Sequence, residues 1–264
     1  MPRFFFALVL LSSACTAFGA ATNDSGSSGD PADASATSSG GGPEAGAGTY
    51  CDQVRRDDPT VKLCLDFDDE TAKVPFGAHE MTDAGDQYFE RGPSFLPDAG
   101  DALTAGLRRG KGERNAYLAF RVFDASNTPK DLRRVVLDVD LVVERFELDY
   151  AVLAGLGLLG KTCSYFTGLS VAPAGLLLHV PEKKPRVGSL EPGTPVHMTL
   201  EVESESRALR MLLDHTEVAN LQLDDADNDC DTLDVMLGTY FTNVTDREGE
   251  VRARFDRVVF RVVE

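Results

Sequence analysis

From Val61 onward, apolar and polar residues alternate in short runs, the pattern of strands with one buried and one wet face. Val61, Leu63, Leu65 and Phe67 form the first such run. Asn115–Phe123 puts Ala116, Leu118, Phe120 and Val122 on one face. Arg133–Glu144 puts Val135, Leu137, Val139, Leu141 and Val143 inward, leaving Arg134, Asp138, Asp140 and Glu144 outward. Ala151–Leu159 is apolar on both faces; Gly155, Gly157 and Gly160 disfavour a buried helix there, so a central strand is expected. Ser164–Val171 and Leu176–Val180 follow, separated by a Pro173-Ala-Gly turn. Pro181–Pro195 reads as a loop. Pro195–Ser204 turns Val196, Met198, Leu200 and Val202 inward, and Arg207–Leu213 is its hairpin partner. Asp214-His215 makes the next turn, into Val218–Leu223, and a strand over Thr232–Phe241 comes after an acidic loop.

The closing run, Val251–Glu264, changes phase. Val251, Ala253 and Phe255 sit on odd positions, and Val258, Phe260 and Val262 on even ones. One face can hold both sets only if a bulge intervenes near Asp256-Arg257. This stretch and Val61–Phe67 are expected to be the last and first strands of one domain, paired or adjacent in one sheet. About a dozen short strands with turns between them, and hardly any helix, predict an all-β, two-sheet antiparallel sandwich.

The N-terminus departs from this pattern. One basic residue, Arg3, and a short apolar core from Phe4 to Leu11 read as an export signal, too short to span a bilayer. Leu11-Ser-Ser-Ala-Cys15 resembles a bacterial lipobox, with Cys15 the lipidated residue and residues 1–15 the signal; simple cleavage after Ala17 or Gly19 is the alternative. Residues 16–49, rich in Gly, Ser, Ala and Asp, have too few apolar side chains to offset ordering entropy and read as a disordered linker. The domain is expected over residues 50–264.

Charge narrows the partners. The 264-residue chain carries 43 acidic and 26 basic residues, a net −17, which repels nucleic-acid backbones. Apart from Cys15, the cysteines are Cys51, Cys64, Cys163 and Cys230, an even set suited to disulfides in an oxidising compartment. Cys51–Cys64 would be the local pair, leaving Cys163 with Cys230. His79, His179, His197 and His215 are scattered and no Cys-x-x-Cys occurs, so a metal reading of these residues is poor.

The run Leu63-Cys-Leu-Asp-Phe-Asp-Asp69, the Thr199-Leu-Glu-Val strand followed by Leu212-Leu-Asp-His-Thr-Glu-Val-Ala219, and the ending Phe255-Asp-Arg-Val-Val-Phe260 resemble the layout of concanavalin-A-like and laminin-G-like jelly rolls in exported bacterial proteins. The resemblance covers about Val61–Glu264 and its motifs are structural. In that pattern Asp214-His215 often reads Asp-Gly. The resemblance implies a sandwich with carbohydrate as the ligand class, held on a concave sheet face or by rim loops. Glycosidases of this fold carry Glu-x-Asp-x-Glu on one strand; here Asp138-x-Asp140 has Glu144 four further on, which matches neither identity nor spacing. Asp138, Asp140 and Glu144 are therefore candidate ligand-binding residues, with no catalytic residue assigned. A groove that joined them to aromatics such as Tyr150 or Tyr165 would favour sugar binding or catalysis. Asp227, Asp229 and Asp231 offer hard oxygen ligands for calcium, with a solvated acidic turn as the plainer reading. His197, beside outward Glu201, reads as a surface histidine. The expected role is an exported, lipid-anchored binding or surface module, with a polysaccharide hydrolase or lyase and an envelope scaffold as alternatives.

Overall fold

The structure, a computed structural model, describes residues 49–68, 79–82, 87–97, 99–110, 116–124, 132–160, 164–181, 183–223, 230–240 and 248–264. Its elements are α1 (Tyr50–Asp57), β1 (Val61–Leu65), β2 (His79–Thr82), β3 (Gln87–Pro93), β4 (Asp101–Gly110), β5 (Ala116–Phe123), β6 (Arg134–Phe146) and β7 (Ala151–Gly160). There follow β8 (Ser164–Ala172), β9 (Gly175–His179), β10 (Arg186–Gly188), β11 (Pro195–Glu203), β12 (Ala208–Leu213), β13 (Thr216–Gln222), β14 (Cys230–Tyr240) and β15 (Gly249–Val263). They form two antiparallel sheets. One runs β13-β12-β11-β6-β15-β4-β3, with β1 also on β15; the other runs β10-β9-β8-β7-β14-β5-β2.

The sheets meet through the residues that alternation placed inside. Val135, Leu137, Val139, Leu141 and Val143 of β6 share one core with Leu153 and Leu156 of β7, Leu169 of β8 and Val235 and Leu237 of β14. Burial of each such side chain contributes roughly 1.5–3 kcal/mol.

Both phases of β15 enter that core: Val251, Ala253, Phe255, Val258, Phe260 and Val262 are all in it. The expected bulge is present. Asp256 pairs with Asp140 and Val259 with Asp138, so Arg257 and Val258 together face Val139, and Arg257 adopts φ +43°. The bulge also divides one edge of β15 between two partners. Val251–Phe255 pairs with β4, whereas Val258–Arg261 pairs with β1, with Leu63 opposite Phe260. First and last strands thus lie side by side.

The structure adds elements that the alternation did not reveal: α1, β2, β3, β4, and β10 inside the expected Pro181–Pro195 loop. Helix α1 starts in a capping box, with the Thr49 side chain accepting the Asp52 N–H and the Asp52 carboxylate accepting the Thr49 N–H. It lies on the outer face of the β15 sheet, where Cys51 packs with Cys64 and Val259. A Cys51–Cys64 disulfide fixes it there. Cys15 and Cys163 fall outside the described residues, and for Cys230 only the backbone, in β14, is described. At the β12–β13 turn, Asp214 and His215 have φ of +48° and +64°, the type I′ geometry that Asp-Gly would adopt more easily.

Candidate functional site

Asp138, Asp140 and Glu144 do share the outer face of the β6 sheet, as their spacing requires, and each is engaged by a cationic side chain. The His197 Nδ1 lies 2.8 Å from Asp140 and its Nε2 3.7 Å from Asp138. Those carboxylates push the His197 pKa up to about 9, so the ring is an imidazolium at neutral pH. Burial draws the Asp138 pKa upward, but His197, Thr199 and Arg261 outweigh it and hold the carboxyl below its usual value. Arg261 bridges Asp138 to Asp58, 2.9 Å away on the far side. Glu144 is held by Arg252 at 2.8 Å and Arg254 at 3.0 Å. His197 is thus no free surface histidine: it ties β6 to β11.

The order Asp140–His197–Thr199 has the form of a nucleophile triad, with the Thr199 hydroxyl oxygen 3.4 Å from Nε2. Its protonation opposes that chemistry. Thr199 donates to Asp138 at 2.6 Å, and an imidazolium cannot take the hydroxyl proton. This face is a charge-balanced lattice joining strands.

The other sheet's outer face has a different chemistry. Tyr150, immediately before β7, forms a hydrogen bond through its hydroxyl with Nδ1 of His179 at the end of β9. The Lys184 ammonium sits 4.0 Å from the centre of the Tyr150 ring, and Phe166 meets His179 edge-on at 5.7 Å. Burial raises the Tyr150 pKa to about 12; burial and the Lys184 charge lower that of His179 to about 4. Both are therefore neutral at pH 7. Phe166 lies close to the sheet because Gly155 of β7 leaves room beneath its ring: a Cβ there would come within 2.9 Å of it, and one on Gly157 within 2.8 Å of the Met236 sulfur. Arg121 and Asp234 add an ion pair at 3.0 Å on this face.

The groove that would have favoured sugar binding or catalysis at Asp138, Asp140 and Glu144 does not take in Tyr150 or Tyr165, because Tyr165 lies in β8 and Tyr150 immediately before β7, both of the opposite sheet. Sequence reasoning missed the Tyr150–His179 pair. The outward phase of His179 beside inward Leu176 and Leu178 was its only signal, and the partner two strands away required the topology. Of the calcium candidates, Asp227 and Asp229 fall outside the described residues, and Asp231 is described only as backbone in β14. Among the described residues no cluster of three metal-ligating side chains forms, and no helix is long and apolar enough to cross a membrane.

No family model and no curated protein matches the chain. Among solved structures, alginate lyase A1-II′, a member of polysaccharide lyase family-7, matches at a TM-score of 0.50 with 11% identity, over 69% of this chain and 86% of the other. A Trypanosoma rangeli sialidase in complex with sialic acid matches at 0.50 with 13% identity, over 78% of this chain and 32% of the sialidase. The fold is a jelly roll. The concanavalin-A-like expectation is met in its two antiparallel sheets and its adjoining first and last strands. This jelly roll spans about a third of the sialidase, and at these identities the likeness concerns architecture alone.

Proposed function

We propose that the chain is an exported, carbohydrate-binding jelly roll, attached to a bacterial membrane through a lipidated Cys15 and set off from it by the residue 16–49 linker. Its glycan site is the outer face of the β7 sheet, around Tyr150, Phe166, His179 and Lys184. The observation that carries this reading is the Tyr150–His179–Lys184 cluster, in which the exposed Lys184 cation and the half-buried, neutral His179 stand over the buried Tyr150 ring. Sugar hydroxyls are recognised by such a few convergent polar and charged groups set on an apolar base. The sugar-directed chemistry named for the two structural neighbours supports the ligand class. The net charge of −17 disfavours a long polyanion, whereas the segment Lys183-Lys184-Pro-Arg186 beside Tyr150 can accept an isolated carboxylate.

A second reading, a lyase or hydrolase, is favoured by the same hydrogen bond. The Tyr150 hydroxyl, held by His179 Nδ1, can give its proton to the leaving oxygen of a bound sugar while Lys184 offsets the charge left on the phenolate. A glycan array with the exported chain, repeated with Tyr150→Phe and His179→Gln, tests both readings. Binding lost in the variants supports the site. Turnover of a bound glycan by the wild type would move the reading to an enzyme, and silence across the array would favour a scaffold. Replacing Cys15 by Ala should release the protein from membranes; a wild type already found wholly in the soluble fraction would overturn the anchor.

A further inference from the structure

A cavity of about 430 Å³ lies where α1 crosses the β1 end of the jelly roll, away from the Tyr150 cluster. Its apolar lining comprises the buried core residues Leu103, Leu118 and Phe120 and the half-buried Phe67 and Phe89. Phe67 adopts φ +59°, a left-handed backbone that is costly for a bulky residue and recurs at ligand clamps.

Charges of both signs line this cavity, Arg55, Asp66 and Glu90 together with Asp52 and Arg91, and among the described residues Arg55, Asp66 and Glu90 are not paired with one another. Arg55 of α1 gives one N–H to the Cys64 carbonyl at 3.0 Å, which fixes the guanidinium at the mouth. Asp66, nearly buried, has one carboxylate oxygen accepting the Cys51 N–H at 3.0 Å. The side chain of Glu90, on the β3 wall, makes no ion pair or hydrogen bond among the described residues. Elsewhere the pattern is the reverse: Asp138, Asp140, Glu144, Glu201 and Glu217 each face an Arg or His within 3.0 Å or in direct contact.

We propose that this cavity binds a small apolar zwitterion, of the class of free leucine or phenylalanine. Its side chain enters the Leu103–Leu118–Phe120 well. Its carboxylate meets Arg55, and its ammonium meets Glu90 and the second oxygen of Asp66. A purely apolar ligand would leave these charges partly desolvated without partners, and a singly charged one would satisfy only one sign.

Isothermal titration calorimetry on the full exported chain, disulfide intact, tests this with leucine, phenylalanine, leucinamide and N-acetyl-leucine. The two free amino acids should bind, and each blocked form at least about tenfold more weakly, as expected for loss of a charge-assisted contact. Arg55→Gln should abolish the preference for leucine over leucinamide, and Glu90→Gln should reduce the preference over N-acetyl-leucine, Asp66 keeping part of it. Both positions are exposed, and a Tm unchanged from wild type verifies folding. Absence of binding by either amino acid, or equal binding by either blocked form, overturns the assignment.

Discussion

Two histidines on opposite faces respond to pH in opposite senses. His197 has a folded-state pKa of about 9, above its unfolded value near 6.5. Its contribution is complete below pH 6.5 and is lost as pH rises toward 9. For His179 the folded value is about 4, so the unfolded chain takes up the proton first, and stability falls between pH 6.5 and 4. Urea denaturation across pH 4–9 should therefore give maximal stability near neutrality. His197→Gln should flatten the alkaline limb by about 1–2 kcal/mol, less than the full shift because the ring is partly solvated. A second residue-scale expectation concerns Thr167, which lies in β8 with a buried hydroxyl that has no partner among the described residues. Thr167→Val should raise stability by about 1 kcal/mol in thermal or chemical unfolding, since it removes an unsatisfied group without changing the volume. Neither the His197 network nor the Tyr150–His179 pair was legible in the sequence. Alternation fixed the outward direction of Asp138, Asp140 and His197, but it cannot say which strand lies alongside.

At the scale of elements, the strongly alternating strands were legible: β6, β11, β12 and the two phases of β15 place their inward residues as the pattern required. β4 was not. Its outward positions include Ala102, Thr104 and Gly106, which blur the contrast with inward Leu103, Ala105 and Leu107. Helix α1 did leave a signal, the Thr49-x-x-Asp52 capping box, but too short a helix follows for periodicity to register. The β12–β13 turn carries a prediction of its own. His215 occupies a left-handed position exposed to solvent, so His215→Gly should stabilise the hairpin by about 0.5–1 kcal/mol, read as an increase in Tm. A decrease would mean that the ring contact with His197, at 4.8 Å, matters more than the backbone.

For the whole molecule, the disulfide and the β15 edge work on the same segment from two directions. Cys51–Cys64 closes a loop with a sequence separation of 13, so its removal as a Cys51→Ser, Cys64→Ser pair should cost about 3 kcal/mol, measured as a fall in the urea midpoint. The loss should fall on α1 and β1, and amide exchange there should quicken more than in β7 or β14. The shared edge of β15 has a temporal consequence. β4, β1 and β6 all use this one strand as their template, and it is synthesised after all of them. As the chain emerges from a ribosome or a translocation channel, the hairpins β7–β8–β9 and β11–β12–β13 can form from neighbouring segments, but β1 must wait for a partner almost two hundred residues later. Such distant closure is slow. Until β15 arrives, the Leu63 and Leu137 strands expose unpaired edges, and it is in that interval that a nascent chain of this design is open to chaperones and proteases.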